Sequence, residues 1–368
     1  MEATWVSAKD VAVLVERTVP FFYHDRARFF PFISDKYLSL AMPVLVYWGT
    51  CLWYHALDVW RPAWSEKYRL HPPAEVVKRN RVSMQRVIVM VIVQHLIQTL
   101  LGVLLMEDTP HSVLTGTRTD VDPVRDVTHI LSWLREAHAY VQVQDVFLVR
   151  AAIALYWWGV PWLQFWFACF LMDAWQYALH RTMHEVRFLY RLMHSHHHRL
   201  YVPYAFGALY NHPLEGMLLD TLGAEMARLC SRMTLRQTVV FFTLSTFKTV
   251  CDHCGYAFPW YLNPVQLLFP NNAEYHDVHH QSQGLRYNYS QPFFVHFDTL
   301  LGTRVDPADF ARRLEKKGAR VKPGADENDA PVPMPAPPLH SPYTTATVWS
   351  TALFFGILAV PVATYSLL

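Results

Sequence analysis

The chain has 368 residues, of which 52% are hydrophobic and 15% aromatic but only 17% charged, an apolar bias that argues for a membrane protein. A formal net charge of +2 with no Lys/Arg run excludes the electrostatics of a nucleic-acid binder. Five cysteines, with Cys51 and Cys169 inside apolar stretches, imply no disulfide framework.

In chain order, residues 1–36 form an N-terminal segment whose first part, Met1 to Ala12, shows no basic-then-apolar leader pattern, so insertion is expected to rest on internal segments. Residues 37–57 contain no Asp, Glu, Lys or Arg and can cross about 30 Å of hydrocarbon as a helix. Residues 87–106 are a second candidate, and with the intervening loop they make a first helix pair over 37–145. A third uncharged run, 151–172, continues as a helical pattern to His180 and opens a unit expected over 146–304. Stretches 214–227 and 237–250 predict a helical hairpin that either crosses or dips into the bilayer. Residues 305–343 are charged and then Pro-rich, and 344–368 read as an apolar tail anchor.

The loop between the first two segments holds Arg61, Lys67, Arg69, Lys78, Arg79, Arg81 and Arg86, against Arg118, Arg125, Arg135 and Arg150 in the next. Cytoplasmic loops carry the basic excess, so the first loop is expected in the cytosol, together with 180–210 and 252–342. The sequon at Asn288 is then expected to stay unmodified and to serve as a topology check.

Half of the 20 histidines form a patterned set. His180 and His184, four apart, stack on one helical face and can grip one ion. His194, His197 and His198 form an H-x-x-H-H triplet that His276, His279 and His280 repeat, a spacing expected to set three rings on one face. His212 and His253 lie between the triplets. An isolated pair is as readily two surface histidines; two triplets plus a pair at the end of an apolar segment point to metal. A zinc site uses three or four ligands, whereas about ten rings suit two metals with five each and positions open for dioxygen.

Asp173, Glu185, Glu215 and Asp277 are candidate acceptors for the remaining imidazole N–H groups. His196 faces away from its neighbours, and His55, His71, His129, His138 and His296 match no ligand spacing. Gln94, His95 and Gln98 read as helix-to-helix hydrogen bonding rather than substrate contact. Cys251 and Cys254 read as inert thiols, and no serine-hydrolase, Walker or dinucleotide motif is present.

At these residues the chain resembles the fatty acid hydroxylase superfamily of membrane di-iron proteins. Its D-x-x-x-Y-x-x-H-R-x-x-H pattern matches Asp173, Tyr177, His180, Arg181 and His184; its later triplets match those above, and its H-P-x-E and H-x-G-Y elements match His212 and His253. Stretches 33–40, 200–216, 252–260 and 269–281 are similar to fungal sphinganine C-4 hydroxylases, with one departure, Phe297 where Trp often precedes the aspartate. The resemblance implies an all-α fold, polytopic membrane helices under a cytosolic His-rich helical cap that holds a dinuclear metal site. The ligands it implies are His180, His184, His194, His197, His198, His212, His253, His276, His279 and His280, with no further catalytic acid or base.

It further implies two Fe ions, O2 as co-substrate, and electrons from NAD(P)H through cytochrome b5 and its reductase. The implied substrate is a long-chain sphingoid base or ceramide in the endoplasmic reticulum membrane, with 200–213 as candidate tunnel mouth. The histidines do not encode the outcome, so a sterol desaturase or sterol methyl oxidase stays open, as does a membrane zinc protein, either hydrolase or metal carrier.

Overall fold

The computed structural model describes residues 6–20, 28–107, 122–137 and 144–318; His138 and the expected tail at 344–368 lie outside the described residues. Among the described residues, helices account for the regular structure, and extended pairing is limited to the isolated bridges Phe30–Ile33 and Arg69–Tyr256. The helices are α1 Ala8–Arg17, α2 Asp35–Trp60, α3 Pro73–Arg79, α4 Met84–Leu105, α5 Pro123–Ala137, α6 Asp145–Glu185, α7 213–231, α8 Leu235–His253, α9 Ala273–His280 and α10 Pro307–Gly318.

Their starts follow local chemistry. Ser34 and Ser83 accept the first free backbone N–H groups of α2 and α4, and Thr234 with Gln237 forms a capping box on α8. The two helices predicted as a hairpin, α7 and α8, are present and joined by a short turn set by Arg232 in the left-handed region (φ 56°), but α7 packs mainly against α6 and α8 against α2.

Among the described residues, two helices, α4 and α6, are long and apolar enough to cross a membrane; α2, which holds the expected span at 37–57, is long enough but falls short in mean hydropathy. On α4 the side chains of Val89, Ile92, Leu96, Leu100 and Leu104 stay exposed, an apolar stripe that suits lipid rather than water. The 41 residues of α6 span about 60 Å, roughly twice the hydrocarbon thickness, so this helix extends beyond the bilayer. Its first turns pack with α1 and α5 through Val11, Val15, Val127, Leu131, Val149 and Trp157.

Helix α8 runs beside α2, where the Tyr54 hydroxyl donates to Cys251 Sγ at 3.5 Å and the Tyr256 hydroxyl to Asp58 at 2.9 Å, so both helices finish at the same end. Helix α7 lies against α6, with Trp175 Nε1 donating to the Leu218 carbonyl at 2.9 Å. Gly223 permits this approach, since a Cβ there would sit 2.6 Å from the Trp175 ring. Gln94 and Gln98 of α4 donate to Asp220 (3.3 Å) and to the Gly216 carbonyl (3.4 Å), the inter-helix role expected of them. The C-terminal ends of α6 and α8 and the whole of α9 thereby meet at one end of the bundle.

The sequon expected to stay unmodified lies in the packed interior. Asn288 is fully buried; its amide donates to the carbonyls of Tyr275 (3.0 Å) and Val305 (2.9 Å) and accepts from Val305 N (2.7 Å). These bonds leave no room for a glycan in the folded chain, so an unmodified Asn288 is what the packing accommodates, and a glycan there would overturn both the packing and the cytosolic layout.

Candidate metal centre

Nine of the ten expected ligands come together in two adjoining groups. His180, His184, His194, His198 and His279 form one, and His197, His253, His276 and His280 the other; within each group the ligand atoms all lie within 4.8 Å of one another. The expected five-and-five division is therefore five and four. His212 belongs to neither: its Nδ1 caps the 213–231 helix by accepting from Leu214 N (3.3 Å), and its ring faces His196.

The triplets do not present three rings to one point as the spacing suggested. In the first, His194 and His198 serve one group and His197 the other; in the second, His276 and His280 serve one group and His279 the other. Residues i and i+4 differ by about 40° around a helix axis, whereas i+3 and i+4 differ by about 100°. On the helical second triplet the i, i+4 pair thus shares a centre while the third ring reaches the neighbouring one; the first triplet divides in the same way, so both bridge the two groups. The first triplet is also not α-helical: Tyr190–His194 is a π-turn and His197–Arg199 a 3₁₀ turn. A π-turn is a frequent device for re-aiming a functional side chain.

The outer ring nitrogens fix the tautomers. The Nδ1–H groups donate to backbone carbonyls: His180 to Tyr289 (2.8 Å), His197 to Tyr210 (3.2 Å), His253 to Thr249 (2.8 Å), His279 to Tyr287 (2.7 Å) and His280 to Leu200 (2.8 Å). His194 Nδ1 donates to the fully buried Glu215. A carbonyl only accepts, so in each of the carbonyl-bound rings Nε2 carries a lone pair turned inward. His180 and His194 nevertheless hold their Nε2 atoms 3.0 Å apart, and His197 and His253 theirs 3.4 Å apart. Two lone pairs at that distance repel unless a cation lies between them.

The spacing fits one. Two imidazole nitrogens at about 2.1 Å from a common ion are about 3.0 Å apart at a right angle and about 3.4 Å apart at a tetrahedral angle. His279 Nε2 adds a buried atom with no hydrogen-bond partner, beside the rings of His180 and His184. Burial, the largest cause, holds His194 down to about 3 and His197 to about 4, and keeps His198, His276, His279 and His280 well below the ordinary histidine range. The rings are neutral near pH 7, the state that ligates metal.

The four candidate carboxylates part company. Glu215 alone takes an imidazole N–H of these rings. Asp173 accepts the backbone N–H groups of Phe293 (3.0 Å) and Phe294 (2.6 Å), Asp277 accepts from His71 Nε2 (2.9 Å), and Glu185 pairs with Arg181 at 2.6 Å on the surface. Each is drawn off by a stronger or nearer donor. For Glu215→Gln, metal affinity and turnover are expected to fall by about 10- to 100-fold with the chain still folded, because the remaining amide oxygen accepts more weakly from His194.

Sequence reasoning passed over two residues. His71, which matches no ligand spacing, is buried between Asp277 and Glu75; burial pushes its pKa down, but the two carboxylates outweigh it and raise it to about 10. Only contact across 206 residues of sequence creates that site, so no local signal marks it. Asp298 is a fully buried hub that accepts from Tyr289 N (2.9 Å), Ser290 N (2.8 Å), the Tyr275 hydroxyl (2.8 Å) and Thr303 Oγ1 (2.7 Å). It pins the loop whose carbonyls at Tyr287 and Tyr289 orient His279 and His180. Cys251 and Cys254 are buried free thiols.

Comparison with known proteins places this geometry. Residues 165–303 match the fatty acid hydroxylase family. A sphingolipid C4-hydroxylase of Schizosaccharomyces pombe is 43% identical over 284 residues, which is 77% of this chain and 93% of that protein. A sphinganine C4-monooxygenase of Arabidopsis thaliana is 39% identical over 297 residues, 81% of this chain and 97% of that protein. A very-long-chain aldehyde decarbonylase of Oryza sativa subsp. japonica is 41% identical over 284 residues, 77% of this chain and 94% of that protein. No solved structure gives a significant match.

Proposed function

Because this chain belongs to the fatty acid hydroxylase family, we propose that it is an oxygen-dependent monooxygenase that hydroxylates C-4 of a sphingoid base, either sphinganine or its N-acylated form. The observation that carries this reading is the pair of buried, neutral imidazole groups with inward-facing Nε2 atoms. His180, His184, His194, His198 and His279 would hold one iron, and His197, His253, His276 and His280 the other. A five-ring group exceeds what a structural or catalytic zinc uses, which disfavours the zinc alternative. Bound there, iron with O2 supplies the oxidising strength that side chains lack for an unactivated C–H bond.

The chain's own part is to hold and to exclude. The backbone carbonyls of Leu200, Tyr210, Thr249, Tyr287 and Tyr289 lock ring orientation, and Glu215 does so for His194. Burial of the two groups keeps bulk water from the reacting carbon. The overall reaction takes up O2, two electrons and two protons, and yields the hydroxylated lipid and water. The proposed electron source is NAD(P)H through cytochrome b5 and its reductase. The proposed site is the endoplasmic reticulum membrane, crossed several times, with the histidine end on the cytosolic side beside the basic loop at 61–86.

The identity shared with the rice protein favours one second reading, an aldehyde decarbonylase. Mass spectrometry of long-chain bases and alkanes from cells with and without this chain separates the two. A new 4-hydroxy base is the expected result; an alkane without it would overturn the hydroxylase reading.

A further inference from the structure

We propose that a cleft beneath the four-histidine group binds the amino-diol head of the lipid, with Asp58 recognising its ammonium; this rests on the sphingoid-base reading above. The cleft has a volume of about 660 Å³, in the usual range for a site that takes a small molecule or part of a lipid. It lies where α2 ends, where α3 passes and where α4 begins, at the boundary between the apolar helices and the histidine cap. Val76, Val82, Met84 and Val202 give it apolar walls, and Asp58, His55 and Tyr204 bring polar groups to it.

Its inner wall adjoins the candidate metal centre. Cys254 and Gly255, both lining residues, directly follow His253. Val202 lies two residues beyond Leu200, whose carbonyl accepts from His280. His71, also in the lining, donates to Asp277, the neighbour of His276. Gly255 (φ 78°) keeps this wall thin, since a Cβ there would stand 3.2 Å from the Pro203 carbonyl oxygen.

The charges around the cleft single out Asp58, the one carboxylate in the lining. Arg69 is taken up by Glu66 Oε1 (2.9 and 2.7 Å), by the Tyr256 hydroxyl (2.5 Å) and by Asp58 Oδ1 (2.7 Å). His71 is held between Asp277 and Glu75, and the Arg81 guanidinium stacks 5.1 Å above the Tyr201 ring. Asp58 Oδ1 accepts from both Arg69 and Tyr256, whereas Oδ2 accepts from no described residue. The carboxylate is therefore fixed in place with one oxygen free, and its side chain remains 31% exposed. A primary ammonium supplies a charged donor for that oxygen, while an N-acylated head offers a neutral amide N–H. The cleft should accordingly prefer the free long-chain base over its ceramide form.

Steady-state kinetics on the iron-loaded full chain, with sphinganine and N-acyl sphinganine as alternative substrates, tests this. For Asp58→Asn, KM for sphinganine should rise roughly tenfold, with kcat within about twofold and KM for the N-acyl substrate unchanged. Val76→Trp fills the cleft without touching Asp58 and should weaken both substrates. An unchanged sphinganine KM in Asp58→Asn, or equal losses for the two substrates, overturns the ammonium assignment; an unchanged KM in Val76→Trp overturns the cleft. Equilibrium binding of labelled sphinganine to wild type and Val76→Trp reads the same site without turnover. A wild-type chain that binds sphinganine in the cleft yet forms no 4-hydroxy product would leave this site standing and remove the hydroxylase reading instead.

Discussion

Replacing His197 with alanine is expected to lower product formation by roughly a thousandfold or more while the chain still inserts and folds. The exceptional size of this effect comes from where the ring stands. His197 is the member of the first triplet that crosses to the four-ring group, and its Nε2 faces that of His253 at 3.4 Å. Its loss leaves three rings there, an incomplete set that holds a second metal more weakly beside the five-ring group against solvent competition. Folding should survive, because the substitution removes one neutral ring from a site where inward lone pairs already repel one another in the absence of a cation. The accompanying measurement is metal stoichiometry, expected to fall from about two ions per chain to about one. Full turnover with two ions retained would refute the assignment of this ring.

Asp298→Ala should be the most damaging substitution outside the histidines, for a different reason. The carboxylate is fully buried and accepts two backbone N–H groups and two hydroxyls, so its removal strands the Tyr289 and Ser290 N–H groups and the Tyr275 hydroxyl, while Thr303 keeps its bond to Tyr177. Stranding buried donors of this kind costs on the order of 3–5 kcal/mol, a large share of a domain's stability. The freed loop also carries the Tyr287 and Tyr289 carbonyls that set the tautomers of His279 and His180. Thermal unfolding should therefore shift strongly downward, and any folded fraction should bind less metal in the five-ring group. A variant with wild-type melting temperature and wild-type metal content would show that this hub holds neither the loop nor the rings.

The two substitutions sit on different links of the same chain of causes. His197 acts at the centre itself, and Asp298 acts on the backbone that aims two other rings. Glu215 lies between these cases, since it touches a ring but no metal position. A ranking of metal loss with His197 and Asp298 above Glu215 follows from that order.

Several features were readable without any coordinates because they depend on local periodicity. Uncharged apolar runs announce α4 and α6, since a helix in hydrocarbon satisfies its own backbone and needs only apolar side chains. The four-residue spacing of His180 and His184 announces a shared ligand site, since it places both rings on one face of α6.

What only the tertiary structure decided was where the rings point beyond the first turn. Spacing alone treats a triplet as one face; the convergence of α6, α8 and α9 shows each triplet divided between two centres, because a difference of about 100° around the axis matters once there are two targets to reach. His212 has the residue type and neighbourhood of a ligand, but its nitrogen is committed to capping a helix. Asn288 carries a legible sequon whose amide is spent inside the fold, and His71 has no local pattern at all, yet meets Asp277 across the fold. Sequence fixes which side chains are available and on which helical stripe they begin; distance between segments, and competition among donors for each buried acceptor, exist only after the chain has packed.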